Sequence, residues 1–246
     1  MSLLEKIEIP RRTMVLFFVI DTSGSMDGSK IGSVNTAIEE VIPAIQEVSD
    51  ENADAQIKIA ALEFSSGARW ITQSGPIEAG QFRWNYVEAA GVTDLGAAFR
   101  ALNEKLSTKA FMAEATGSFA PAIFLLSDGE PTDDWEKELA ALKENNWFKA
   151  GVKVAVAIGE DADKNVLKQF TGSMEAVLET QSAATLKKMI KFVSVRASQI
   201  ASKSTNAASD GEDWGDTQKQ YELNTSLQEF KEEIAAAPVY DQDDDW

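Results

Sequence analysis

Runs of hydrophobic residues predict several strands within the first 202 residues of the chain. Residues 14–20 are entirely apolar, which is typical of a central strand that is covered on both faces. Residues 55–64 and 68–72 predict two more strands, and the three residues between them are too few for a crossover, so this pair must form an antiparallel hairpin. Further strands are predicted at residues 122–127, 152–159 and 175–180.

Between these strands the apolar residues recur with the period of a helix. From Ser29 they line one face and charged residues line the other, but Pro43 interrupts the pattern, so we expect a kink or an early end there. Other helices are predicted from Asp94, from about Asp133, near Asn165 and from about Ala183. This alternation specifies an α/β fold, with a doubly wound, mostly parallel six-stranded sheet, one antiparallel edge strand and helices on both faces.

The regular pattern ends near Ser202. Residues 203–246 contain 12 acidic and 3 basic residues, so they hold about half of the chain's net charge of −17 in a small part of its length. We therefore predict a domain over residues 1–202 and an acidic tail over residues 203–246 that is mobile or only weakly docked. Within this tail, a weak helical stripe consists of Tyr221, Leu223, Leu227, Phe230 and Ile234.

Composition removes several classes of function. The chain has no cysteine and no histidine, which excludes thiolate and imidazole ligands, cysteine nucleophiles and a Ser-His-Asp mechanism. Any metal must then be held by oxygen, which favours magnesium, manganese or calcium. The negative charge argues against nucleic acid and anionic membranes as partners. No apolar run approaches the ~20 residues that span a bilayer, and we expect a cytoplasmic protein.

Small polar side chains follow two of the predicted strands. Asp21, Ser23 and Ser25 come directly after the first strand, at alternate positions that point the same way in an extended chain. Asp128 follows the fourth strand, which lies beside the first in a doubly wound sheet, and Thr93 begins a helix at the same edge. Two carboxylates and three hydroxyls are therefore expected to meet, with no basic residue to neutralise them. Such an oxygen-only set suits a divalent cation.

Ordinary structural interpretations compete with this site. Thr93 alone is explained by a helix cap, and Asp128 followed by glycine is explained by a turn. The occurrence of all five residues at one edge of the sheet favours a binding site. Asp133 and Asp134 are different, because acidic residues in the first turn of a helix are expected from the helix dipole.

Taken together, these fragments resemble the von Willebrand factor A domain and its metal-ion-dependent adhesion site. The resemblance lies in Asp21-x-Ser23-x-Ser25 after an apolar strand, Thr93 in GVTDLG and Asp128 in LLSDGEPTD, and it covers residues 12–202. It implies that the Ser23, Ser25 and Thr93 hydroxyls bind the metal directly, whereas Asp21 and Asp128 act through water. Mg²⁺ or Mn²⁺ is the expected metal, with Ca²⁺ as a further option.

The resemblance implies binding rather than catalysis. A metal without directly bound carboxylates keeps much of its charge, and an acidic residue of a partner protein is the natural occupant of its open position. The segment LKKMIKFVSVRASQIASKS resembles bacterial tellurite-resistance-type A proteins. That narrower resemblance implies an adaptor in a stress or defence module, together with a protein kinase and a PP2C-type phosphatase.

A metal-dependent phosphohydrolase is the first alternative function, and a purely structural scaffold whose site is occupied but never engages a ligand is the second. Asp21-x-Ser23 resembles the start of a haloacid-dehalogenase-type phosphatase, but Ser23 stands where that motif requires a second Asp. The predicted site also lacks a general base. We therefore expect that the protein is not an enzyme.

Overall fold

The computed structural model describes residues 11–114, 117–203 and 214–236. The first ten residues of the predicted domain and residues 204–213 and 237–246 of the predicted tail lie outside the described residues. None of the helices within the described ranges is long and apolar enough to cross a membrane.

The strands of the described residues join in a single sheet. Their bounds are Arg12–Asp21 (β1), Ala55–Ser65 (β2), Gly67–Trp70 (β3), Ile77–Glu78 (β4), Ala122–Ser127 (β5), Val152–Ile158 (β6) and Val177–Thr180 (β7). The order is β3-β2-β1-β5-β6-β7, and β4 also pairs with β2. All pairs are parallel except those of β3 and β4 with β2. The predicted fold class is confirmed, although the sheet gains β4, whose two residues are too few to show an alternating pattern.

Helices cover both faces of the sheet. Their bounds are Ser29–Glu51 (α1), Leu95–Lys105 (α2), Trp135–Lys143 (α3), Asn146–Ala150 (α4), Lys164–Thr171 (α5), Ala183–Lys203 (α6) and Trp214–Ala236 (α7). The apolar residues of α1, α6 and α7 pack on one face of the sheet, and those of α2 to α5 pack on the other. The central strand β1 contributes to both cores, since Leu16 and Phe18 face α1 and α6 whereas Phe17 faces the opposite side. This explains why residues 14–20 are apolar without alternation.

The early end that we predicted at Pro43 is wrong, while a kink there stays a prediction. Helix α1 continues through this proline to Glu51. Pro43 and Glu39, whose carbonyl loses its helical partner, both lie on the exposed face, where solvent can bond to that carbonyl. On the opposite face, Val41 and Ile45 are fully buried and hold the helix against the sheet on both sides of the proline.

Helix α7 differs from the weakly docked tail that the sequence predicts. Leu223 and Leu227 are fully buried. The ring of Phe230 stacks on Phe192 of α6, with 4.2 Å between the ring centroids. Tyr221, which the predicted stripe includes, is instead 70% exposed. This part of the predicted tail therefore packs on the sheet-and-helix core, while a domain boundary after residue 202 stays a prediction.

Polar contacts also attach α7 to the edge of the sheet. Strand β7 pairs with β6 only from Ala155 onward. Before that point, the side chain of Gln220 accepts from the backbone N–H of Lys153 at 2.9 Å and donates to its carbonyl at 3.1 Å. The ammonium of Lys231 donates to the carbonyls of Glu175 and Val177, at 2.9 Å in each case. Side chains of α7 thus bond to edge backbone groups that no neighbouring strand covers.

Candidate metal-binding site

The predicted acidic residues lie at the carboxyl ends of two neighbouring central strands. The chain runs from β1 to β2 on one side and later returns to β5 on the other, so a crevice is expected where β1 and β5 end. Asp21 is the last residue of β1, and Asp128 directly follows β5. The two residues are 0% and 2% exposed. Strand β1 pairs in parallel with β5, with Ile20 opposite Leu126, so the structure brings two buried acids to neighbouring strand ends.

Both oxygens of the Asp21 carboxylate already have a protein donor. The backbone N–H of Ser23 donates to Oδ1 at 2.8 Å, and the hydroxyl of Ser127 donates to Oδ2 at 2.5 Å. Burial raises the pKa of the Asp21 carboxyl, the two hydrogen bonds act to lower it, and the charge of Asp128 raises it further. Ser127 itself accepts from the backbone N–H of Gly129 at 2.8 Å. Ser127, which sequence reasoning missed, therefore fixes the orientation of Asp21.

The two serines lie side by side after Asp21. Their hydroxyl oxygens are 3.0 Å apart, and either can donate to the other. Ser23 is buried, whereas Ser25 is exposed. Between them begins a 3-10 turn over Gly24–Met26, and the side chain of Met26 is fully buried and anchors the turn in the core. The turn thus presents one inner and one outer hydroxyl at the same place.

The loop that carries Thr93 is bonded to the loops on both sides of it. On one side, the N–H of Gly24 donates to the carbonyl of Gly91 at 3.1 Å. On the other side, the N–H of Thr93 donates to Oγ1 of Thr132 at 3.1 Å, and the N–H of Thr132 donates to the carbonyl of Thr93 at 2.8 Å. Thr93 is 5% exposed. Thr132 was not identified from the sequence, although it lies four residues after Asp128.

Asp133 caps a different helix from the one that we expected. Its carboxylate oxygens accept from the N–H groups of Gly96 and Ala97 at 2.9 and 3.0 Å, in the first turn of α2. A Cβ at position 96 would lie 2.8 Å from Asp133 Oδ2, so the glycine makes this approach possible. Asp134, at the N-terminus of α3, makes no side-chain capping bond. The helix that follows Thr93 is therefore capped by the loop that follows Asp128.

The Asp128 carboxylate has one oxygen without a protein partner. Its Oδ2 accepts from the ammonium of Lys30 at 3.3 Å. Its Oδ1 is buried and forms no hydrogen bond. Among the described residues, it is the one buried side-chain nitrogen or oxygen atom without a hydrogen-bond partner. A buried carboxylate oxygen without a partner costs about 1–3 kcal/mol or more, so a bound cation or its water would satisfy it. The residues present therefore fit a metal.

Lys30 corrects the expectation that no basic residue neutralises the site. Its ammonium lies 3.3 Å from Asp128 Oδ2 and 3.0 Å from Asp161 Oδ1. Burial acts to lower the pKa of Lys30, but the bonds and charges of Asp161 and Asp128 together raise it. The sequence could not show this contact, because Asp161 is 131 positions away and arrives only through the pairing of β5 with β6.

The structure brings the five predicted residues to the carboxyl end of the sheet, and three of them carry neutral hydroxyl groups. Asp21, Ser23 and Ser25 share one loop, whose backbone bonds to the Thr93 loop, and Asp128 contributes the second acid. Among the described residues, no group of three or more acidic side chains is arranged to hold a metal ion. A cation here would therefore depend on hydroxyl ligands and would keep much of its charge.

Solved structures share this fold at low sequence identity. A von Willebrand factor type A protein from Catenulispora acidiphila aligns with a TM-score of 0.56 at 19% identity, over 76% of this chain and 43% of that one. The pilus adhesin SpaC from Lactobacillus rhamnosus GG aligns with a TM-score of 0.58 at 14% identity, over 77% of this chain and 30% of that one. Proximal thread matrix protein 1 from the mussel byssus, with a zinc-occupied MIDAS motif, aligns with a TM-score of 0.54 at 16% identity, over 76% of this chain and 48% of that one.

These similarities concern the fold, since all three identities are low. The chain spans less than half the length of each of these three structures. No curated protein matches it in sequence. The profile of the von Willebrand factor type A domain matches residues 16–192, which include all five predicted site residues. The chain therefore belongs to the von Willebrand factor type A domain family.

Proposed function

We propose that this chain is a protein-interaction module that binds its partner through a divalent metal. The observation that carries the proposal is the buried Asp128 Oδ1, which has no hydrogen bond. It belongs to a set of two acids and three hydroxyls at the crevice between β1 and β5. Oxygen ligands of this kind suit Mg²⁺ or Mn²⁺, and also Ca²⁺.

The five residues divide into two roles under this proposal. The Ser23, Ser25 and Thr93 hydroxyls bind the metal directly, while Asp21 and Asp128 act through water. The hydrogen bonds of Asp21 support this division, because both of its oxygens are already engaged by Ser23 N–H and the Ser127 hydroxyl. When bound, the metal supplies a Lewis-acidic position that attracts an anionic ligand.

The partner is a protein that offers a Glu or Asp side chain to this position. Neutralising a charge is most favourable in a partly desolvated cleft, and an incoming carboxylate does so without any chemical step. The net charge of −17 favours a partner that is basic around that carboxylate. The similar folds of a pilus adhesin and of a byssal thread matrix protein with a zinc-occupied MIDAS motif support such a role. We therefore propose binding rather than catalysis.

The cellular setting is a separate part of the proposal. The resemblance of residues 186–204 to bacterial tellurite-resistance-type A proteins is its only support. On that basis the module would serve as an adaptor beside a protein kinase and a PP2C-type phosphatase. Affinity capture from the native host, with and without a chelator, tests this setting directly.

The test of metal binding compares a site threonine with a distant one. In the wild-type protein, Mg²⁺ or Mn²⁺ should give heat in a calorimetric titration and raise the melting temperature, because a ligand that binds only the folded state stabilises it. Thr93→Ala should lose most of both signals. Thr225→Ala is the control, since Thr225 lies exposed on α7 and its hydroxyl donates to the carbonyl of Tyr221. Absence of heat and of a shift in the wild type at about millimolar metal would contradict the proposal.

A further inference from the structure

The ammonium of Lys30 occupies the place next to the candidate metal site. It lies 3.3 Å from Asp128 Oδ2, on the carboxylate whose other oxygen has no partner. The side chain of Lys30 is 18% exposed, so it is largely withdrawn from solvent. A positive charge held this close to Asp128 offsets the repulsion between the two buried acids at positions 21 and 128.

The fold provides space for this lysine. Gly159 follows β6 with φ of +102°, and a Cβ at this position would lie 2.7 Å from Lys30 Cε and 3.2 Å from its Nζ. A side chain at residue 159 would therefore displace the lysine stem. The second partner of the ammonium is Asp161, whose side chain is 71% exposed. Lys30 consequently lies between one buried partner and one solvent-facing partner.

We propose that Lys30 is a tethered cation that competes with the divalent metal for Asp128 and so lowers metal affinity. This inference rests on the metal-dependent function proposed above. A divalent ion bound by the Ser23, Ser25 and Thr93 hydroxyls would repel the nearby ammonium and would attract the Asp128 carboxylate. The ammonium then keeps Asp161, already 3.0 Å away, as its partner. A partner's carboxylate, arriving with its own negative charge, would favour the metal-bound state over the lysine-paired state.

The experiment measures the affinity of the purified full chain for Mn²⁺ and Mg²⁺ by calorimetry. Lys30→Met keeps the length of the stem and removes the charge, and it should tighten metal binding by about tenfold. Lys30→Arg keeps the charge and should bind no more tightly than the wild type. Lys149→Met is the matched control, because Lys149 also pairs with an acidic residue, Glu144. It lies at the end of α4, just before β6 begins, and so at the end of the strands opposite to the candidate site. The control substitution should leave metal affinity unchanged.

A double variant separates local competition from a general change in charge. Lys30→Met combined with Asp161→Asn restores the net charge of the wild type. If Lys30 acts by competing for Asp128, the double variant keeps most of the gain in affinity. If the gain reflects only the more negative surface, the double variant returns to wild-type affinity, and the inference is wrong.

The melting temperature in chelator supplies a readout that does not depend on bound metal. Without its ammonium, the Asp128 carboxylate loses its ion pair, so metal-free Lys30→Met should melt below the wild type. The temperature shift on adding metal should be larger for Lys30→Met than for the wild type. Equal affinity and equal shifts in the two proteins would overturn the inference alone. Absence of metal binding in every variant would instead contradict the proposed function and the inference with it.

Discussion

Ser127 links two loops at the candidate site through a single hydroxyl. It donates to Asp21 Oδ2 and accepts from the N–H of Gly129, and it is fully buried. Ser127→Ala leaves both of these groups without a partner, which should lower the free energy of unfolding by about 1–3 kcal/mol. Because the lost bond also orients Asp21, metal affinity should fall with it. Urea denaturation and a Mn²⁺ titration measure the two effects.

Ser49 offers a matched control for this prediction. Its hydroxyl accepts from the N–H of Ile57 at 2.9 Å, and it is 5% exposed. It lies near the end of α1, just before β2 begins, and so at the end of the strands opposite to the candidate site. Ser49→Ala should therefore lose stability to a similar extent while its metal affinity stays unchanged. A fall in metal affinity of the same size in both variants would mean that general loosening, and not the orientation of Asp21, explains the result.

The residues of the site were predictable to the extent that they follow a strand directly. Asp21 and Asp128 could be located because each comes at the end of a buried apolar run, and strand order then places them side by side. Lys30 and Asp133 could not be assigned in this way. Their partners depend on how a side chain leaves a helix start or a loop, which hydrophobic periodicity does not encode. Whether the five predicted residues hold a metal stays a prediction.

At the scale of secondary structure, α7 is held by apolar contacts within an otherwise polar segment. Leu227 is fully buried in the core that α1 and α6 share. Leu227→Ala should lower the free energy of unfolding by about 2–5 kcal/mol, as is usual for truncation of a buried leucine. The loss should appear in the main cooperative transition of a urea titration, since α7 packs on the same core as the central sheet.

Tyr221 on the same helix is the control for Leu227. It is 70% exposed, so Tyr221→Ala should change the stability by less than about 0.5 kcal/mol. Equal, small effects of the two substitutions would show that α7 is only weakly docked, as its charge composition suggests. A separate early transition in Leu227→Ala, with the main transition unchanged, would also show weak docking.

Elements that are buried on both sides were easier to predict than α7. The interiors of strands β1 and β5, residues 14–20 and 122–126, are apolar without interruption, because helices cover both of their faces. The apolar residues of α7 lie within residues 203–246, which are strongly acidic as a whole, so composition favoured a solvated tail over a docked helix. Pro43 is a comparable case, since the cost of an interior proline depends on whether its face of the helix meets solvent or the core. Sequence reveals the proline, whereas exposure is a tertiary property.

At the scale of the whole molecule, acidic residues greatly outnumber basic ones. The chain has 40 acidic and 23 basic residues and no histidine. Several of the described ion pairs are solvent-exposed, such as Lys187 with Glu40 and Lys149 with Glu144, and exposed pairs contribute only about 0–1 kcal/mol each. We therefore expect the excess of negative charge to oppose the compact state more than these pairs stabilise it.

This balance predicts that monovalent salt stabilises the metal-free protein. Raising the ionic strength from about 0.02 M to about 0.2 M shortens the Debye length from roughly 20 Å to below about 10 Å, which screens the net repulsion across the surface. In chelator, the melting temperature should rise over this range, and it should rise equally in sodium chloride and choline chloride, because screening does not depend on which cation is present. A rise in sodium alone would indicate that the folded protein binds this cation specifically. A constant or falling melting temperature in both salts would mean that attractive ion pairs outweigh the net charge of −17.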